Sequence, residues 1–139
     1  LTSALGRTVV AGKAHSDQLE LIEHANTAFE IGAAKVIAGQ PAREADIAGE
    51  EYLDSVGLRR MYNFGHGIGW TEVFESGIVS ENSDYNFPTG IAVQLDVGIV
   101  SIPYKSLPAN RVGLRLEDPF IITHDGVTER MTDLGMTGE

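Results

Sequence analysis

His66 stands in the stretch Phe64-Gly65-His66-Gly67-Ile68-Gly69. Glycines on both sides free the backbone for conformations and close approaches that side chains forbid, so an imidazole here can be presented to a ligand at short range. A solvated histidine in a turn accounts equally well for this residue taken alone. Asp96 lies in the run 91–100 (IAVQLDVGIV), where every other side chain except Gln94 is apolar or absent. A carboxylate in such a strand is paired, bound to a metal or turned to a solvated face. Alternation places Asp96 on the face of Ala92, Gln94 and Gly98. Glu117 and Asp118 interrupt a second apolar stretch, and Arg115 shares the face of Glu117, an arrangement that a surface ion pair also explains.

Taken together, these residues form a His/carboxylate/carboxylate set. Imidazole with two carboxylates suits a borderline divalent ion such as Mn, Fe, Co or Zn, provided the two strands are neighbours. The aromatic residues Tyr62, Phe64, Trp70 and Phe74 surround the glycine turn. They are candidates for the wall of a pocket taking a small apolar or cationic group, although core packing is the more ordinary explanation for such a cluster. Other chemistry is excluded by composition. The 139 residues contain no Cys, so disulfides, thiolate zinc sites and a cysteine nucleophile are absent, as suits a reducing, cytoplasmic compartment. Twenty acidic residues against ten basic ones give a net charge of −10, which leaves no basic footprint for nucleic acid and no polybasic patch for a membrane surface. No apolar run approaches the ~20 residues of a spanning helix.

The elements that must position these groups are read from periodicity. Residues 5–11 (LGRTVVA) predict a short strand. Ser16 as N-cap, acids at Asp17, Glu20 and Glu23, and apolar residues at spacings of three and four predict a long amphipathic helix over 16–38, ended by Gly39 and Pro41. A second, shorter helix is predicted over 43–56, before Gly57. Beyond it the chain becomes glycine-punctuated. It then predicts strands at 91–100, 111–117 and 119–123, a turn at His124-Asp125-Gly126, and a last strand from Val127 to Met131. Helices followed by strands indicate an α+β fold with a mostly antiparallel sheet.

The order GHGIG (65–69), GIAVQLDVGI (90–99) and GLRLEDPFIITHDG (113–126) resembles the C-terminal half of the pita-bread metallopeptidases. These are the methionine aminopeptidases, Xaa-Pro aminopeptidases and Xaa-Pro dipeptidases, with creatinase as a relative. LGRTVVAG (5–12) and the helix after it resemble a further part of the same pattern, so the resemblance covers nearly the whole chain. It implies that His66 is a metal ligand and catalytic group, and that Glu117 is the final, bridging ligand. Asp96 stands where a longer Glu is usual, its oxygens drawn back by about 1.5 Å, one C–C bond.

Two positions depart from the family pattern. Ala4 occupies the place of an Asp ligand, and Val73 and Phe74 occupy the place of a second His. The resemblance therefore implies a hydrolase of a C–N bond, in a peptide or small amide, with one divalent ion or none rather than a dinuclear centre. Creatinase, by the same likeness, implies that such chemistry can proceed without metal. His66 and Glu117 are the expected catalytic groups, with Asp96 as third metal ligand and Phe64, Trp70, Phe74 and Arg115 as the substrate pocket. The alternative is a binding or scaffold module that keeps the fold without the metal site. The chain begins at Leu1. It is expected to be the C-terminal portion of one larger pita-bread domain, packed against its own N-terminal part or another chain, a homodimer included.

Overall fold

The computed structural model describes residues 2–70, 75 and 77–132. Helix α1 spans Ser16–Ala33 and α2 spans Arg43–Ser55. They precede strands β1 (Gly65–Gly67), β2 (Ile78–Val79), β3 (Ala92–Val100), β4 (Gly113–Ile122) and β5 (Thr128–Arg130). The five strands form one sheet in the order β2-β1-β3-β4-β5, antiparallel throughout.

Alternation on the two long strands explains the layering. Val93, Leu95, Val97 and Ile99 of β3 and Leu114, Leu116, Phe120 and Ile122 of β4 are all buried and form one apolar face. Helix α1 packs on β3 and β4, adding Leu21, Ala25, Ala28 and Phe29 to this core. The opposite face carries Gln94, Asp96 and Gly98 of β3 beside Arg115 and Glu117 of β4. Among the described residues no helix is long and apolar enough to cross a membrane.

Four local expectations are corrected. Helix α1 is capped by His15 rather than Ser16: the His15 side chain accepts from the Asp17 N–H, and Gln18 Oε1 accepts from the His15 N–H. It ends at Ala33, not near residue 38, because Lys35 and Val36 turn back onto Gly32 and Ala33 in three-residue bonds and Val36 tucks into the core. Residues 5–11 make no strand. Gly6 alone bridges Glu117, while Leu5 and Val9 stay exposed, so no alternating face is buried. The stretches 111–117 and 119–123 form the single strand β4, which passes through Pro119. Pro119 faces Gln94 in register, and its carbonyl accepts from the Met131 N–H.

Candidate functional site

The centre of the face away from the helices is the pair Asp96 and Glu117, direct Cα partners across β3 and β4. Both the N–H and the C=O of Glu117 are exchanged with Gly6 on the other side of β4. The Asp96/Glu117 position is therefore a non-hydrogen-bonded pair, the closer of the two kinds, with Cα atoms about 4.5 Å apart. Two carboxylates set this close repel one another. Both are nevertheless buried, at 4% and 2% exposure, which calls for a proton or a cation between them.

Arg115 is that cation. Its Nη2 donates to Asp96 Oδ2 at 2.6 Å and lies 3.0 Å from Glu117 Oε2, so one nitrogen bridges both acids. Its Nε adds a second bond to Asp96 Oδ2 at 3.0 Å. Arg115 sits two residues before Glu117 on β4, opposite Gly98, which is why its side chain falls on the same face. These bonds to Asp96, followed by the charges of Asp96 and Glu117, hold the guanidinium above its ordinary pKa.

The other oxygen of Asp96 is taken by Tyr62, whose hydroxyl donates to Oδ1 at 2.9 Å. Gly98 makes this contact possible: a Cβ there would lie 2.2 Å from the Tyr62 hydroxyl oxygen. Burial first, and the negative charge of Asp96 second, push the Tyr62 phenol above the usual tyrosine range. Arg115 also lies 6.0 Å from the centre of the Tyr62 ring.

The N-terminal segment closes the rest of this face. Gln94 is fully buried and grips the Ala4 peptide at both ends, accepting from its N–H at 3.2 Å and donating to its carbonyl at 2.6 Å. Further along, Gly6 passes so close that an added Cβ would meet Glu117 Cβ at 3.0 Å. Thr8 then exchanges hydroxyl bonds with the Arg115 backbone. Ala4, which stands where the family pattern has an acidic ligand, is thus seated over Gln94 and brings no donor side chain with it.

The expected site residues are gathered unequally. Asp96, Glu117 and Arg115 meet. His66 lies on the same face, but its register partner is Gln94, so it sits one strand away and two residues off from Asp96, a diagonal of about 7–8 Å. Its Nδ1 is 3.1 Å from the Gly67 carbonyl. Among the described residues no three His, Asp or Glu side chains converge to hold an ion. The proposed triad therefore shares a face without sharing a point.

Phe64 is not a pocket wall. It is fully buried against Phe29, with Arg60 over its ring and Gly32 and Gly49 making room for it. Trp70 is 81% exposed, and Phe74 lies outside the described residues. The sequence marks Tyr62 only as an aromatic near the glycine turn and Gln94 only as a face neighbour of Asp96, whereas their bonds to Asp96 and Ala4 come from the fold. Gly98, a bare position two residues from Asp96 on the same strand face, was the available signal for a ring lying there. The pairing of Gln94 with Ala4 joins positions 90 residues apart and left no local trace.

A family model for metallopeptidase family M24 matches residues 1–124. The chain belongs to this family. It is 32% identical over 127 residues to the uncharacterized peptidase YqhT of Bacillus subtilis, an overlap of 89% of this chain and 33% of that protein. The Xaa-Pro dipeptidase from Bacillus anthracis superposes with a TM-score of 0.79 and 27% identity, covering 94% of this chain and 35% of that one. The X-Pro aminopeptidase from Thermotoga maritima matches in fold, with a TM-score of 0.80, 23% identity and the same shares of 94% and 35%. The chain spans about a third of the length of these relatives. Its α+β fold is that of the pita-bread peptidases.

Membership of M24 raises the question whether these residues fit a metal. Tyr62 and Arg115 hydrogen-bond the carboxylates of Asp96 and Glu117, as partners of metal-ligating acids commonly do, and leave lone pairs on both. A first-row ion also needs further donors at one point, whereas Ala4 has none and His66 stands off by a strand. Among the described residues the donors present do not by themselves complete a dinuclear centre. Its acids are organised around a guanidinium.

Proposed function

We propose that this chain carries the carboxylate-bearing part of a hydrolase site of the Xaa-Pro dipeptidase and aminopeptidase type. The site acts on a C–N bond in a peptide or small amide, and its centre is altered from a two-metal one. The observation that carries this reading is the Asp96–Glu117 pair, two buried acids at the closest register position of a sheet, a placement that ordinary surface pairing does not demand. Glu117 is the acid/base group and His66 the imidazole next to it on the same face. Asp96, Arg115 and Tyr62 hold the local charge. The remaining groups of the site come from the rest of the same protein or from another copy, in keeping with a chain about a third as long as its relatives.

The test is turnover by the complete protein on a panel of Xaa-Pro dipeptides, other dipeptides and short amides, with E117Q and H66A alongside. A loss of about 100-fold or more in kcat/KM for both variants is expected, the scale of removing a general acid or base. Turnover that is measurable and unchanged in both variants overturns the assignment.

A second reading is a binding module that keeps the fold without hydrolysis. It is favoured by the engagement of both acids with Arg115 and by Ala4. It predicts no turnover by the wild-type protein on any member of the panel, with or without added Mn2+, Co2+ or Zn2+.

A further inference from the structure

We infer that Gln94 is a positioning residue: its side-chain amide latches residues 2–8 onto the sheet and thereby seats Gly6 against Glu117. Gln94 is fully buried on the face shared by His66, its register partner, and Asp96, two residues on. An amide taken out of water must find both an acceptor and a donor. Gln94 finds both on Ala4, accepting from its N–H at 3.2 Å and donating to its carbonyl at 2.6 Å. The backbone of β4 cannot make these bonds itself. Continuing the antiparallel register of Gly6 and Glu117 by two residues sets Ala4 opposite Pro119, which has no N–H and whose carbonyl already accepts from Met131. Gln94, the register partner of Pro119 on β3, supplies the missing ladder pair with its side chain.

The latch lies at one end of the segment and the acid at its middle. Gly6 exchanges both backbone bonds with Glu117 at 3.0 Å, and an added Cβ would stand 3.4 Å from Glu117 Oε2. Thr8 follows, its hydroxyl bonded to the Arg115 N–H at 2.8 Å and to the Arg115 carbonyl at 3.0 Å. Beyond the latch the Thr2 N–H bonds the Gly69 carbonyl at 2.7 Å. The segment therefore flanks Glu117 and braces the strand that carries it. Releasing the latch loosens that flank, which misplaces the acid for chemistry without removing a substrate contact.

This inference rests on the reading of Glu117 as the acid/base group, and its first readout is independent of turnover, so the two fail separately. The test compares the complete wild-type protein with Q94M, which keeps the volume and loses both bonds, and Q94E, which keeps the acceptor and loses the donor. Amide hydrogen exchange over residues 2–8 is expected to quicken about tenfold in Q94M and less in Q94E, with exchange over 16–33 unchanged in both. On a Xaa-Pro dipeptide, kcat is expected to fall about tenfold in Q94M and less in Q94E, with KM within about twofold of wild type. Unchanged exchange over 2–8 in Q94M overturns the latch. Quickened exchange with unchanged kcat overturns the positioning role. A wild-type protein without turnover sinks the hydrolase reading alone. Carbodiimide labelling of Glu117 then decides the positioning role: faster labelling in Q94M supports it, and labelling at the wild-type rate overturns it. Should exchange quicken over 16–33 as well, Q94M has lost its fold, and the same outcomes are read from Q94E against wild type.

Discussion

Glu117 and Asp118 are neighbours on β4 and point to opposite faces, and each is the centre of an arginine–carboxylate cluster. Asp118 faces the helices. It is fully buried and receives Arg7 at 2.7 and 3.0 Å on its two oxygens, Arg130 through both Nε and Nη2, and the Thr132 hydroxyl. Arg130 continues to Glu30 on α1 and lies over the rings of Phe29 and Phe120. One acid is thus held by two cations, and the cluster ties the N-terminal segment, β4, β5 and α1 together. On the other face Asp96 and Glu117 share the Arg115 guanidinium, which is half in water. The first arrangement is saturated and rigidifies the fold. The second is open to water through Arg115, which is what a site requires and what a structural lock avoids.

Substitutions separate the two clusters by the size of their effects. D118A strands two arginines beside a buried face and is expected to cost about 3–5 kcal/mol, the scale of breaking a buried ionic network by removing one partner. Urea unfolding of the variant measures it. R115M removes the shared cation of the site, but from a half-exposed position that water can partly refill. A smaller loss of about 1–3 kcal/mol is expected by the same measurement. A loss from R115M equal to that from D118A would erase the distinction between lock and site.

Y62F deletes one hydrogen bond to Asp96 and is expected to cost about 1 kcal/mol at neutral pH. The sign of its pH dependence follows from the raised phenol. The neutral hydroxyl stabilises the fold fully below the ordinary tyrosine value of about 10, and that contribution is lost as pH rises through the higher folded value. The gap in thermal midpoint between wild type and Y62F should therefore narrow above pH 10. A gap that widens there contradicts the Tyr62–Asp96 contact. W70A, at an 81% exposed position, is expected to stay within about 0.5 kcal/mol of wild type.

The strands that carry the acids were legible because period-two alternation survives on β3 and β4 even around buried carboxylates. Asp96 and Glu117 stood out as acids in apolar runs for the same reason. The helix after residue 16 was equally plain, but its end was not. Val36 and Ile37 keep the apolar spacing after the backbone has left the helix, since burial of Val36 in a turn satisfies the same pattern. Residues 5–11 look like a strand by composition. Their role is instead set by contacts 107 to 111 positions away, at Arg115, Glu117 and Asp118, which no local pattern encodes. Arg115 and Glu117 were visible as a pair on one strand, with an exposed ion pair as the simple explanation. That Arg115 also reaches Asp96 depends on the β3/β4 register, and the register became available only with the fold.

The account rests on the Arg115 guanidinium joining Asp96 to Glu117 on the face away from the helices. A crystal structure of the wild-type protein tests this directly. The expected result is Arg115 Nη2 within hydrogen-bond distance of both carboxylates. A guanidinium turned to solvent and out of reach of both acids would contradict it.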